Sequence, residues 1–475
     1  MTTDRGALFR SLPAMDIVLA AAVDADPVLA AAPRPLLRDA LTAFWDAVRR
    51  DIRDGRVSSA DEVTLESCLP RMLACARAAV APRLRRVING TGVVVHTNMG
   101  RSVLAEEAVD ALLTAASGYC SLELDLTTGG RGSRHTLCES LICRLTGAEA
   151  ALVVNNNAAA VLLLLDTFCK GGEAIVSRGE LVEIGGSFRI PEVMAKSGAV
   201  LRDVGATNRT HLRDYEQAID ERTRALLRVH TSNYRIVGFH AAVAAEELVA
   251  LGRRHDLPVF EDVGSGSLTD FSSVGLPNEP TVQSLIAAGV DVVTFSGDKV
   301  LGGPQAGILA GRADMIARMK SNQLTRALRC DKFTLAALEA TLRLYCDPEL
   351  ARQRIPTLRM LFMSQEELAR AARSLAGRLR RALGPVCGVR VRPDVSRVGG
   401  GAFPECDLPT SLVCLTPQEG APLTASGLRQ ALLATTPPLL GRLEEGAFCL
   451  DPRTLLPRDP ADIAALVKGL LRPLG

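Results

Sequence analysis

Hydrophobic positions follow two different periods along the chain. Over the first 85 residues they recur at steps of three and four. Leu37, Leu41, Phe44, Trp45 and Val48 mark one helix over about 36–52, and a further helix spans about 60–80. Pro33 and Pro35 punctuate the entry to the first of these. From Arg86 the pattern shifts to short apolar runs alternating with helical ones. Runs at 151–154, 174–177, 199–204, 226–230, 258–263 and 289–295 read as strands, and 161–168, 242–255 and 282–288 as helices between them. This βαβ rhythm predicts an open, mostly parallel sheet with helices on both faces. The segment 105–117 reads as a helix and 119–126 as extended chain. Helices follow at 313–318, 325–332 and 334–345. A long helix over about 364–383 leads into a smaller α/β segment, with strands at 389–391 and 411–415 and helices at 424–433 and 461–471. Gly399, Gly400 and Gly401 read as a flexible bend. The expected organisation is a helical domain over 1–85, an α/β large domain over 86–345, and a linker helix with a small C-terminal α/β domain over 346–475.

Composition narrows the function classes. The chain has 475 residues, 47% hydrophobic and 23% charged, enough for two or three domains with a substantial core. No apolar run is long enough to span a membrane, and the N-terminus lacks a signal-peptide layout, so a cytoplasmic location is expected. Twelve cysteines are scattered without a CxxC pair; no metal site is expected, and the thiols read as reduced core residues. A formal net charge of +2 does not by itself advertise a nucleic-acid partner. Basic character is local: Arg83, Arg85 and Arg86 form one cluster, and Arg370, Arg373, Arg378, Arg380 and Arg381 lie along the long helix, either as a solvated face or as a polyanion contact.

Candidate chemistry gathers in three stretches. The strand ending at Phe295 feeds Ser296-Gly-Asp-Lys-Val-Leu-Gly-Gly-Pro-Gln-Ala-Gly307, which places Lys299 in a glycine-rich turn. A partly desolvated lysine has a lowered pKa and can form a Schiff base. Upstream, a strand meets Asn155, Asn156 and Asn157 before a helix rich in alanine and leucine. That is either a helix N-terminus prepared for an anion or simple capping, although capping needs only one asparagine. Asp262 ends a buried apolar strand between these two stretches, where an unpaired carboxylate is costly. A pyridine nitrogen needs such a carboxylate beside it. The order of phosphate cradle, aspartate and lysine matches a pyridoxal phosphate (PLP) enzyme of the aminotransferase-like fold (fold type I). The polar loop 127–134 carries Arg131 and Arg134, as an anion grip or an ordinary exposed connection. Arg326 and Arg329, three apart, would share one helical face and bind a phosphate-like anion or pair with nearby acids.

Several motifs together give a sharper resemblance. They are Val93-Val-Val-His-Thr-Asn-Met-Gly-Arg101, Val154-Asn-Asn-Asn-Ala-Ala-Ala-Val161, Ser177-Arg-Gly-Glu-Leu-Val-Glu-Ile-Gly-Gly186, Val229-His-Thr-Ser-Asn-Tyr234, Gly264-Ser-Gly-Ser-Leu268, the Lys299 stretch and Arg326-Ala-Leu-Arg-Cys-Asp-Lys332. Over nearly its whole length the chain resembles the bacterial selenocysteine synthases, the L-seryl-tRNA(Sec) selenium transferases. The resemblance implies conversion of L-seryl-tRNA(Sec) to L-selenocysteinyl-tRNA(Sec) with selenophosphate, through an aminoacrylyl intermediate. It implies that Lys299 carries PLP, that Asp262 faces the ring nitrogen, and that Asn156, Asn157 and Ser296 lie near the cofactor phosphate. It further implies that Arg101, Arg326 and Arg329 line the selenophosphate site, that the N-terminal helical domain contacts the tRNA, and that the chains assemble as a decamer of five dimers. A related PLP lyase acting on a small amino acid or amino-sugar phosphate shares the lysine and asparagine motifs. The N-terminal domain and the three arginines distinguish the first reading from it.

Overall fold

The computed structural model describes residues 5–184, 188–231, 234, 236, 238–276, 279–403, 406–418, 420–421 and 424–471. Gly185, Gly186, Ser232 and Asn233, which belong to two of the motifs above, lie outside the described residues. The chain forms two compact units, 1–86 and 87–475.

The first unit is helical. Helices α1 (Met15–Ala25), α2 (Arg34–Arg53) and α3 (Leu65–Val80) turn their apolar stripes inward. Leu37, Leu41, Trp45, Val48 and Ile52 of α2 meet Cys68, Met72 and Ala76 of α3 in one core. Trp45 is 1% exposed and packs edge-on against Phe44. Buried Asp26 accepts the Arg77 guanidinium, which ties the start of a short helix to α3. This unit therefore has a core of its own.

The second unit is built on a mixed sheet of seven strands among the described residues. These are β1 (Ala150–Val154), β2 (Glu173–Ser177), β3 (Val200–Val204), β4 (Thr223–Val229), β5 (Val259–Val263), β6 (Val292–Ser296) and β7 (Gly307–Gly311). Their order is β1-β7-β6-β5-β4-β2-β3. All neighbours are parallel except β7, which runs antiparallel to both β1 and β6. Strands β1, β6 and β7 are almost continuously apolar because both faces are covered, whereas the edge strand β3 is partly exposed. Alternation sends Val153, Ile175, Leu226, Val293 and Ile308 into one core, and Leu152, Ala174, Leu227, Phe260 and Leu309 into the other. Helix α4 (Asn157–Phe168) lies on the second face.

Beyond the sheet, α5 (Leu324–Leu328), α6 (Lys332–Leu344) and α7 (Gln365–Leu383) lead to a four-stranded antiparallel sheet. Its strands are β8 (Cys387–Ser396), β9 (Leu408–Pro417), β10 (Arg442–Glu444) and β11 (Ala447–Leu450), ordered β8-β9-β11-β10. Helix α7 covers one face through Leu375, Leu379 and Leu383. Residues 88–95 pair with this part of the chain: Ile88 and Asn89 run parallel to Leu439 and Leu440, and Val94 and Val95 bond to Arg397 and Val398.

Three local expectations change. The segment 119–126 is not a strand: Asp125 accepts from the backbones of Thr127 and Thr128, which closes the chain into turns. The helix expected over 325–332 stops at Leu328, because Asn155 N–H bonds Leu328 O at 2.8 Å and Arg329 bridges Val154 in extended form. Asp331 then caps α6 by accepting from Phe333 and Thr334. Gly399, Gly400 and Gly401 form a packed turn rather than a flexible bend. All three have positive φ, and a Cβ on Gly399 would stand 2.4 Å from Val93 Cγ1.

Candidate active site

Asp262 and Lys299 stand at the C-terminal ends of β5 and β6, the edge where open α/β sheets bind ligands. Alternation turns Asp262 toward the α4 face and Glu261 to the other. The side chain of Asp262 is buried, and its Oδ1 accepts from Asn157 Nδ2 at 2.7 Å and Thr294 Oγ1 at 3.0 Å. Thr294 is the cross-strand neighbour of Asp262 on β6, so register alone delivers that bond. Burial pushes the Asp262 carboxyl above its ordinary range, against the pull of these two donors. Both bonds fall on Oδ1, which leaves Oδ2 for a cationic partner.

Lys299 is 5% exposed in the turn joining β6 to β7. Its amine makes no hydrogen bond or ion pair among the described residues. Burial pushes its pKa down, with the Asp262 charge opposing. A desolvated, neutral amine is a nucleophile. The turn around it is pinned on all sides. Gly297 N–H bonds Ala306 O at 2.8 Å and Gly303 N–H bonds Gly297 O at 2.9 Å. Ser102 Oγ lies 2.5 Å from Lys299 O and 2.9 Å from Asp298 O.

Two glycines permit the backbone approaches that assemble this edge. A Cβ on Gly307 would fall 2.0 Å from Asn156 O, and one on Gly266 would fall 2.3 Å from Ser296 O. The asparagine turn therefore rests on β7, and the turn 264–267 rests on the end of β6, where Ser296 is buried. The three asparagines divide the work. Asn155 N–H bonds Leu328 O, Asn156 caps α4 by accepting from Ala159 N–H at 2.9 Å, and Asn157 orients Asp262. Capping accounts for Asn156 alone. The buried Asn157 Oδ1 and Ser265 Oγ have no hydrogen-bond partner among the described residues. A buried amine for an aldehyde, a buried carboxylate for a ring nitrogen, the N-terminus of α4 and two unmatched polar atoms fit pyridoxal phosphate.

Arg326 and Arg329 line one cleft of about 380 Å³ with Arg131, Arg134, His135 and Lys320. They reach it from the end of α5 and from the extended chain after it, rather than from one helical face. Arg134 is the inward member of the 127–134 loop: its side chain is 14% exposed, against 84% for Arg131. It binds Glu123 at 2.8 Å and Cys330 O at 2.7 Å. Glu123 faces Arg329 at 3.8 Å, and Arg134, foremost among these cations, holds its carboxyl below the usual range. Arg101 is held elsewhere. It adopts φ +64° and donates from Nη1 to Asp298 Oδ2 at 2.6 Å, next to Lys299.

Sequence reasoning assigned no role to Asp298, Ser102, Thr294, His230 or Glu279. Asp298 and Thr294 had a local signal, being polar residues inside the buried run that carries Lys299. His230 had one as well, as the polar end of the run 226–230, and Glu279 had none. His230 N–H bonds Asp262 O at 2.9 Å, and His230 Nε2 lies 3.6 Å from Glu279 Oε1. The Glu279 side chain is 7% exposed, accepts from Phe403 N–H at 3.1 Å, and leaves Oε2 without a partner among the described residues.

The architecture is that of the pyridoxal-phosphate-dependent enzymes of fold type I. Among solved structures, D-glucosaminate-6-phosphate ammonia-lyase superposes with a TM-score of 0.56 at 21% identity, covering 82% of this chain and 96% of that one. The family model of L-seryl-tRNA selenium transferases matches residues 87–456. The L-seryl-tRNA(Sec) selenium transferase of Desulfovibrio desulfuricans is 66% identical over 98% of both chains. That of Nitratidesulfovibrio vulgaris is 60% identical over 98% of this chain and 99% of its own. The chain belongs to the L-seryl-tRNA selenium transferase family.

Proposed function

We propose that the protein converts L-seryl-tRNA(Sec) to L-selenocysteinyl-tRNA(Sec) with selenophosphate as selenium donor, using pyridoxal phosphate held on Lys299. The observation that carries this reading is the buried Lys299 amine, without a partner among the described residues, beside an Asp262 fixed by Asn157 and Thr294, in a chain of this family. When bound, the cofactor supplies an electron sink for the bond broken at the seryl Cα. Asp262 would face its ring nitrogen. Ser296, Asn156 and Asn157 would lie near its phosphate, at the N-terminus of α4. Burial keeps the Lys299 amine able to accept the seryl Cα proton. Arg101, Arg326 and Arg329 would bind the selenium donor, with guanidinium groups matching a phosphate-like anion. The concentration of arginine in the cleft over the single acid Glu123 supports that role for Arg326 and Arg329.

The helical unit would contact the tRNA, and the chains would assemble as a decamer of five dimers. A tRNA substrate implies work in the cytoplasm. No helix among the described residues is long and apolar enough to cross a membrane. The test is the purified protein supplied with seryl-tRNA(Sec) or seryl-tRNA(Ser) together with selenophosphate, with the aminoacyl product identified. Selenocysteine on tRNA(Sec) alone is the expected result; turnover of a free amino acid or amino-sugar phosphate instead would replace this reading.

A further inference from the structure

Cys414 on β9 and Cys449 on β11 stand directly opposite each other in an antiparallel pair. The Cys449 thiol donates to Cys414 Sγ at 3.2 Å. The Cα atoms of directly opposed residues in such a pair lie about 4.5–5.5 Å apart, within the range of about 4.4–6.8 Å that a disulfide spans. The two cysteines belong to a small apolar cluster with Leu412 and Ala447, separate from the core under α7. Arg392 pairs with Asp394 and Glu444, and Arg442 reaches the same two acids, at side-chain exposures of 16–35%. Beside these charged side chains Cys414 is 6% exposed and Cys449 1% exposed.

We propose that Cys414 and Cys449 are a modification site, a dithiol that closes to an intramolecular disulfide when a peroxide reaches the small sheet. The Cys414 sulfur attacks one peroxide oxygen. The O–O bond breaks, and the other oxygen leaves as hydroxide, which takes up the proton released when Cys414 ionised and becomes water. The Cys449 sulfur then attacks the hydroxylated Cys414 sulfur. The S–S bond forms, the S–O bond breaks, and the hydroxyl leaves with the Cys449 proton as a second water. Two electrons pass from two thiols to one peroxide. The roles follow from Arg392, whose guanidinium hydrogen-bonds Cys414 and favours negative charge on that sulfur. The Cys449 S–H and the Arg392 guanidinium favour the Cys414 thiolate and hold its pKa below the ordinary thiol value. By contrast, burial pushes Cys138, Cys169 and Cys330 up to about 12.

The test uses the intact cofactor-loaded protein, treated with graded hydrogen peroxide, alkylated in denaturant and mapped by peptide mass spectrometry. The expected result is a Cys414–Cys449 cross-linked peptide lighter by two hydrogens, formed at least tenfold faster than any loss of the Cys138 or Cys169 thiol. Phenylarsine oxide, which bridges two nearby thiols, should bind with one fewer equivalent per chain in Cys414→Ser and in Cys449→Ser. Both cysteines staying reduced while exposed Cys75, Cys120 and Cys346 are oxidised would overturn the proposal. So would a cross-link that pairs other cysteines. The wild-type peptide map decides the matter even if a serine variant fails to fold.

Discussion

Lys299 and Asp262 are each costly to bury, and they shift in opposite directions. Burial lowers the lysine and raises the aspartate, so each favours its neutral form before a cofactor arrives. For Lys299 the neutral amine is the reactive one. The rate at which cofactor-free protein captures PLP, followed by visible absorbance, should therefore rise with pH through a midpoint below the ordinary lysine value of about 10.4 and level off above it. A midpoint at the ordinary value would show that burial does not activate the amine. Lys299→Ala should abolish the absorbance change altogether. For Asp262 the linkage has the other sign. A carboxyl raised on folding binds more protons in the folded than in the unfolded chain, so its contribution to stability is lost as pH rises through the folded value. Asp262→Asn should then stabilise cofactor-free protein at pH 7, by about 1–2 kcal/mol, while transfer activity falls. Thermal unfolding and turnover measured on one preparation would check both halves. Glu279→Gln is a further probe, because this acid beside His230 influences Lys299. It should change the pH profile of turnover while leaving PLP binding intact, and an unaltered profile would assign Glu279 to holding Phe403 alone.

Turns and element ends carry the site, and legibility in the sequence follows from that. Lys299, Asp262 and the asparagines could be read because each interrupts an apolar run, where polar residues are conspicuous. The arginine cleft could be read only in pieces. Glu123, Arg134, Lys320 and Arg329 come from segments about 200 residues apart, and no local periodicity reports that they converge. The helix expected over 325–332 failed for a related reason. Helical spacing was present, but pairing with the end of β1 outweighs one more turn of helix. Element junctions are accordingly where substitution should tell most. Gly307→Ala would drive a methyl group into the Asn156 carbonyl and should cost on the order of 3 kcal/mol, with loss of PLP. Asn156→Ala removes only a cap and should cost about 1 kcal/mol. Arg326→Ala and Arg329→Ala should each raise KM for selenophosphate about 10- to 100-fold, the worth of a charge-assisted hydrogen bond, with KM for seryl-tRNA nearly unchanged. Equal changes in both constants would place these residues outside the donor site.

At the scale of the whole molecule, two units with separate cores make a separable prediction. The fragment 87–475 contains every residue placed around Lys299 and should still bind PLP. If the helical unit holds the tRNA, the same fragment should lose affinity for seryl-tRNA(Sec) in a filter-binding or fluorescence titration. Unaltered affinity would leave residues 1–86 with a structural role. The division near residue 86 was visible because hydrophobic periodicity changes there from helical steps to short strands. The attachment of residues 88–95 to the C-terminal part was not, since those strands pair across some 350 residues of chain.

Strand β7 has a consequence for how the protein is made. It is the last strand of the large sheet in sequence, yet it sits between β1 and β6. Among the described residues β7 is also the only partner β1 has in that sheet, so until residue 311 leaves the ribosome β1 has no sheet partner and the open edge of β6 is uncovered. A nascent chain stopped between Asp262 and β7 holds the asparagine turn and Asp262 but lacks the strand that sets the asparagine turn beside β6. Synthesis of this molecule therefore includes an interval in which two unsatisfied strand edges wait for one short segment, and a nascent-chain chaperone bound over residues 150–300 would act in that interval.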